Sequence, residues 1–414
     1  MQRKFIYFPS FSVGNFGQAM VKNEKLNNDI PYRFYDPTFP KKFRHPYFLV
    51  TAGHFYKKEN YYKDAGFDLI DDIVVMGDSG GYQIASGAVK KENFSRELIL
   101  RWLENNSHVA MNLDIPPRLK YDGKFNEALE ISIDNFNYFS KNRTPNNKTE
   151  FLNVIQGNDE YTYKLWYDSV KHFEFNGWGM GGAGLSIYRF MSCLVALMQG
   201  KEQYKDNNKW LHILGASKVI DFLLLSQLQK SLNDINSNMQ VTTDSSSPSR
   251  AVVYGHYYYD YDLKNCTFKS IHIPKELSQS NQNKTKHSKN TISESLFHLP
   301  SIIEFDKYLE GAYNYEDITR WTTNGYAAVI LHNFMFYNKT IDDINEWVNG
   351  NEYILEQVTN SDTFLLLKSI DEMVKAYENG STPEKVFAKY KNLYIKLSSK
   401  EVVSTGNVIH NFFI

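Results

Sequence analysis

Seven apolar runs in the first 250 residues each end in a polar or glycine-rich turn, near Thr51, Met76, Leu113, Ile155, Met180, Leu214 and Thr243. Helical patterns alternate with them at Ser95–Asn106, Asn126–Lys141, Glu160–Phe173, Ile187–Lys201 and Lys218–Asn233. In the last of these, Ile220, Leu224, Leu228 and Leu232 recur every four residues and mark an apolar face. Strands that alternate with helices imply a parallel sheet, because a parallel neighbour is reached only through a crossover. Polar residues follow almost every run instead of clustering at one switch point, which favours a closed (β/α)8 TIM barrel over an open doubly wound sheet. The eighth strand is not evident in the sequence.

After Arg250 the rhythm breaks. Residues 251–273 are rich in tyrosine and predict hairpin strands, and 277–293 form a polar stretch of low complexity. The fold class expected is therefore an α/β barrel on residues 1–250 with an insertion in the last barrel unit over 251–317. Helical patterning at Ile318–Tyr337, Ile341–Val348, Ser361–Tyr377 and Pro383–Ser398 predicts C-terminal helices over 318–414 that complete the barrel.

The formal net charge of −1 over 414 residues argues against a polybasic tail and neither predicts nor excludes a nucleic-acid partner. Two cysteines, Cys193 and Cys266, are too few for a disulfide framework or a four-thiolate zinc site. A cytoplasmic protein without a membrane partner is expected, since no stretch has signal-peptide or membrane-span character.

The sharpest motifs are Gly-Asp-Ser-Gly-Gly-Tyr-Gln at 77–83 and Thr-Thr-Asp-Ser-Ser-Ser-Pro-Ser-Arg at 242–250, each with an aspartate just beyond a strand-like run. Between them come Met-Asn-Leu-Asp-Ile-Pro-Pro (111–117), Asn-Val-Ile-Gln-Gly (153–157), Gly-Met-Gly-Gly-Ala-Gly (179–184) and His-Ile-Leu-Gly-Ala (212–216). In this order the set resembles the queuine/archaeosine tRNA-guanine transglycosylase superfamily, with an echo at Leu331–Phe336. That superfamily also includes phage and bacterial DNA 7-deazaguanine transglycosylases. By resemblance, Asp244 matches the nucleophile and Asp78 the general acid/base. Tyr82 matches the aromatic that stacks on the target base, with Ser79 beside it in the same motif. Asp114 matches the carboxylate that reads the guanine edge, and Gln156, Gly181 and Gly182 the groups that bind the remaining polar atoms of the base.

This chemistry makes independent sense. Exchanging a base without cutting the backbone needs attack at the anomeric carbon, and a carboxylate can form the covalent intermediate that lets one base leave and another enter. A second carboxyl must protonate the departing base, so its pKa should be raised. Guanine offers adjacent N–H donors that a carboxylate can accept together, and a base in a stacked duplex must be flipped out to be reached.

The resemblance fails in one place. Family members commonly carry a zinc site of three thiolates and a histidine after the nucleophile strand, whereas this region holds Cys266 alone, with His332 in the matching His-Asn context. His256, His272 and His287 have irregular spacing, so no required cofactor and no structural zinc are expected. That subdomain supports dimerisation in the tRNA enzymes, which leaves a homodimer open. The usual Pro-Thr-Arg is Pro248-Ser249-Arg250 here, with Arg250 a candidate nucleic-acid contact. These departures fall where the polynucleotide is gripped, so the expected partners are DNA, with tRNA as the alternative, and a free 7-deazaguanine base. A further alternative is a catalytically inactive barrel that binds nucleic acid.

Bland readings stand beside these. Asp-Ser-Gly-Gly alone is a common strand-ending turn. Tyr257–Tyr259 and Tyr261 read as a packed hairpin face before a stacking platform, and Lys284, Lys286 and Lys289 as solvated loop charges. His54 and His108 read as hydrogen-bonded structural residues, and His332 as a capping or core histidine.

Overall fold

The computed structural model describes residues 2–11, 14–26, 30–89, 95–182, 184, 186–272, 304–309 and 322–405, with the backbone alone described at 307, 308 and 400–405. Eight parallel strands form the barrel: β1 (Ile6–Pro9), β2 (Tyr47–Thr51), β3 (Val74–Asp78), β4 (Val109–Met111), β5 (Glu150–Ile155), β6 (Gly177–Met180), β7 (Trp210–Ile213) and β8 (Gln240–Ser245). Their order, β1-β8-β7-β6-β5-β4-β3-β2, is a ring with one seam, where β1 and β2 are neighbours without a hydrogen-bonded ladder. The chain is thus a nearly closed (β/α)8 barrel. The eighth strand is β1, at the very start of the described chain, and it pairs in parallel with β8 from Ile6↔Thr242 to Pro9↔Ser245.

The crossover helices start where side chains can satisfy their free N–H groups. Ser95 accepts from the Leu98 N–H, Asp159 and Thr162 form a reciprocal capping box, and Ser186 accepts from the Arg189 N–H. The helix Val219–Asp234 is buried almost all round, beyond the single face its four-residue period marks. The reason is a second layer: the helices Thr323–Asn349 and Ser361–Val374 pack on its outer side. Residues 323–349 form one helix where the sequence suggests two. The polar dip at Asn338–Thr340 holds no proline or glycine to break it, and the Thr340 hydroxyl stays satisfied within the helix by donating to the Phe336 carbonyl at 2.9 Å.

The tyrosine-rich segment forms an antiparallel hairpin, β9 (His256–Asp262) with β10 (Thr267–His272). It packs on the helix Thr323–Asn349: Tyr257 stacks on His332 at 3.7 Å between ring centroids and Tyr258 on Tyr337 at 5.9 Å, while the Tyr261 hydroxyl donates to Asp343 at 3.0 Å. Lys284, Lys286, Lys289 and His287 lie outside the described residues. No helix among the described residues is long and apolar enough to cross a membrane.

Candidate active site

Asp78 ends β3 and Asp244 is the last residue but one of β8, so both stand at the C-terminal mouth of the barrel, the end where barrel enzymes assemble their sites. Register pairs Asp78 with Thr51 of β2 and Asp244 with Phe8 of β1. The seam between β1 and β2 therefore lies between the two aspartates.

Glycines of the first motif are there for backbone contact. Gly80 has φ +89° and a Cβ on it would fall 2.7 Å from the Gly53 Cα; a Cβ on Gly81 would fall 1.9 Å from the Asp114 carbonyl oxygen. The turn after β3 is thereby pressed against the loop after β4, which brings Asp114 beside Asp78. Ser79 is fully buried and its hydroxyl donates to the Asn112 carbonyl at 3.2 Å, tying the same two loops. Burial pushes the Asp78 carboxyl up to about 6, and the charge of Asp244 adds to that, against the Gly80 N–H, the Thr51 hydroxyl and His212. Burial likewise pushes Asp114 up to about 6, opposed by a Gln156 hydrogen bond and helped by the Asp78 charge.

Gln156 donates from Nε2 to Asp114 Oδ2 at 2.7 Å, leaving its second N–H and its Oε1 for other partners. Space for that amide is made by Gly181, where a Cβ would sit 2.1 Å from Gln156 Nε2. So Gly181 serves a side chain first, in addition to the backbone approach that the glycine pair suggests. Gly182 takes the left-handed conformation, φ +72°, and the Tyr163 hydroxyl holds the turn by donating to the Gly181 carbonyl at 2.9 Å.

Asp244 has a different surrounding. Its Oδ1 accepts from the Gly215 N–H at 2.9 Å and faces His212 Nε2 at 3.2 Å. Oδ2 has no hydrogen-bond partner among the described residues. His212 is fully buried, and its Nδ1 meets the Thr242 hydroxyl at 2.8 Å. Register explains the triad: His212 pairs across the ladder with Thr242, and Thr242 and Asp244 alternate onto one face of β8. His212 is a site residue that sequence reasoning missed, although its motif was in view; strand parity was the signal.

Tyr82 stands near the same mouth, with the Arg118 guanidinium 5.9 Å from its ring centroid. Arg118 in turn feels the charge of Asp114. Asp78, Asp114, Gln156, Gly181 and Asp244 are thus brought together, and Ser79, Tyr82 and Gly182 lie on the turns that do it. Arg250 is exposed on the short helix Ser247–Val253 that follows β8.

Cys266 and His332 do not share a metal centre. His332 Nε2 faces the Tyr258 carbonyl at 2.7 Å, an acceptor only, so that nitrogen carries a proton; Nδ1 meets Asp306 Oδ1 at 2.5 Å. The Cys266 thiol points to the Leu263 carbonyl at 3.3 Å. Among the described residues no three His, Cys, Asp or Glu side chains are grouped to hold a metal, and these residues do not fit a zinc ion. His108 is a hydrogen-bonded structural residue, with Nδ1 accepting from the Val75 N–H at 3.0 Å. His54 is exposed, with its ring 3.4 Å from Gln83 Nε2.

Neither a protein-family model nor a curated protein matches the chain.

Proposed function

We propose that this chain is a pentosyltransferase that exchanges guanine in DNA for a 7-deazaguanine base by double displacement. The observation that carries the reading is the contrast between two neighbouring carboxylates. Asp244 presents one oxygen fixed by donors and the other free, the arrangement a nucleophile needs, while Asp78 is held near pKa 6, the range a proton shuttle needs at neutral pH.

In the first half-reaction Asp244 Oδ2 bonds to the 2′-deoxyribose C1′, and the C1′–N9 bond breaks with its electron pair going to guanine. Asp78 gives its proton to the departing base. In the second, the incoming base loses its N9 proton to the Asp78 carboxylate, its N9 bonds to C1′, and Asp244 leaves. Asp114 accepts the paired N–H donors of guanine, Gln156 and the turn at Gly181–Gly182 serve its remaining polar atoms, and the Tyr82 ring covers a face. The target must be unpaired or flipped to reach this depth. No metal enters any step.

The test is incorporation of radiolabelled guanine into single-stranded DNA, double-stranded DNA and unmodified tRNA, each with an Asp244→Asn control. Label in DNA that the control abolishes supports the reading. Label in tRNA alone moves the same chemistry to RNA, and label in none contradicts exchange.

A further inference from the structure

Three side chains of the barrel are bonded in a line, Thr242 Oγ1 to His212 Nδ1 at 2.8 Å and His212 Nε2 to Asp244 Oδ1 at 3.2 Å. Thr242 and His212 are fully buried, and neither side chain has another hydrogen-bond partner among the described residues. The Phe8 ring packs edge-on against the imidazole, 6.4 Å between centroids. That isolation fixes which atom donates. The hydroxyl hydrogen of Thr242 has one acceptor, Nδ1, so Nδ1 offers its lone pair and the ring proton sits on Nε2. The opposite tautomer would set the Nε2 lone pair against a carboxylate oxygen, and a proton on both nitrogens would strand the buried Thr242 hydroxyl hydrogen. His212 therefore donates to Asp244 Oδ1, beside the Gly215 N–H at 2.9 Å.

We propose that His212, its tautomer set by Thr242, is a positioning residue for Asp244: it holds Oδ1 as the spectator oxygen and eases the return of charge to the carboxylate when Oδ2 leaves C1′. The role rests on the base-exchange reading; the tautomer does not. In the first half-reaction the carboxylate loses its charge as Oδ2 bonds to C1′, and Oδ1 becomes the carbonyl oxygen of an ester. In the second, N9 of the incoming base bonds to C1′ and its proton goes to Asp78, while the C1′–Oδ2 bond breaks and its electron pair returns to the carboxylate. Hydrogen bonds to a charged acceptor are roughly twice as strong as those to a neutral one. Two donors on Oδ1 thus favour the carboxylate over the ester, so they assist departure more than attack and keep the covalent intermediate from accumulating.

The experiment uses the full chain with H212Q, H212N and T242V. Glutamine can place its amide N–H near the Nε2 position and keep the donor to Asp244, asparagine reaches only the Nδ1 position, and T242V frees the ring to change tautomer. With a guanine-containing single-stranded DNA, exchange turnover should fall about 100-fold in H212N and about tenfold in T242V at an unchanged KM for the oligonucleotide, and H212Q should recover most of the H212N loss. The fraction of H212N found as covalent adduct on quenching should exceed that of the unsubstituted protein, a rise that loosened packing would not produce. Imidazole nitrogen NMR of the labelled chain, with the His212 signal assigned by its response to Asp244→Asn, should show a protonated Nε2 and a bare Nδ1. A protonated Nδ1, a folded H212N with unchanged turnover and adduct, or an H212N loss that H212Q does not recover overturns the proposal; the NMR signal decides it if the His212 and Thr242 variants do not fold. No exchange into DNA or RNA from a protein with the Nε2–H tautomer removes the exchange reading and leaves the positioning of Oδ1 standing. Exchange abolished by Asp244→Asn but untouched by H212N does the reverse.

Discussion

The two ends of the barrel treat their carboxylates in opposite ways. At the N-terminal end, Glu202 is buried and accepts from the Tyr167 hydroxyl at 2.6 Å, Trp178 Nε1 at 3.0 Å, Asn208 Nδ2 at 2.7 Å and Lys205 Nζ at 2.7 Å. Glu104, just before β4, likewise accepts from Arg101, the Thr144 N–H and the Thr144 hydroxyl, each at 2.7 Å. At the C-terminal mouth, Asp78 has the Gly80 N–H at 3.2 Å and the Thr51 hydroxyl, and shares its surroundings with two other acids. Saturated carboxylates hold a fold together; under-bonded ones crowded with like charge store reactivity. The difference separates the end that stabilises from the end at which base exchange is proposed.

The largest effect should come from Asp244→Asn, which removes the attacking oxygen while keeping the shape. Base exchange is expected to fall by about 10⁴-fold, with the unfolding midpoint in urea nearly unchanged. If the midpoint collapsed as well, the contrast between the two ends would be lost. Glu202→Ala is the mirror experiment. Stripping the acceptor from three buried donors should cost about 3–5 kcal/mol in urea unfolding, with single-turnover chemistry in the folded fraction retained.

Asp78→Asn sharpens the comparison by its sign. A carboxyl whose pKa rises from 3.8 to about 6 on folding costs nothing while protonated in both states. The cost grows as pH rises through that window and is complete above it. The substitution should therefore add up to about 3 kcal/mol of stability at pH 7.5, a gain that shrinks toward pH 4, while it removes activity. Guanine release in single turnover should decline as pH rises through about 6 in the unsubstituted protein, and this limb should be absent from the residual rate of the variant.

Gly181→Ala is a smaller perturbation. The added methyl displaces the Gln156 amide, so KM for the guanine substrate should rise about tenfold, with little change in Tm. Last, exhaustive chelation should leave both Tm and exchange unchanged, because His332 and Cys266 spend their donor atoms on protein partners. A chelation-sensitive Tm would contradict that arrangement.

Much of this architecture was legible in the sequence because parallel strands buried on both faces read as apolar runs. β1 was not: it is four residues long, follows Arg3 and Lys4, and ends in Pro9, so its pattern is too short to stand out. Its partner β8 reveals it only in three dimensions. The aspartates and glycines of the mouth were legible through their turn motifs. His212 was legible only through strand parity with Thr242 and Asp244, and Arg118 was not, since an arginine after a Pro-Pro turn resembles ordinary solvated charge. Their meaning depends on which side chains face one another across the barrel, which no single segment encodes.

The most direct measurement is intact-mass analysis after quenching the protein with a short guanine-containing single-stranded DNA. The account predicts an adduct equal to the protein plus the oligonucleotide less guanine, mapped to Asp244 and absent from Asp244→Asn. An adduct that survives in that variant, or no adduct with DNA or RNA together with no base exchange, would contradict it.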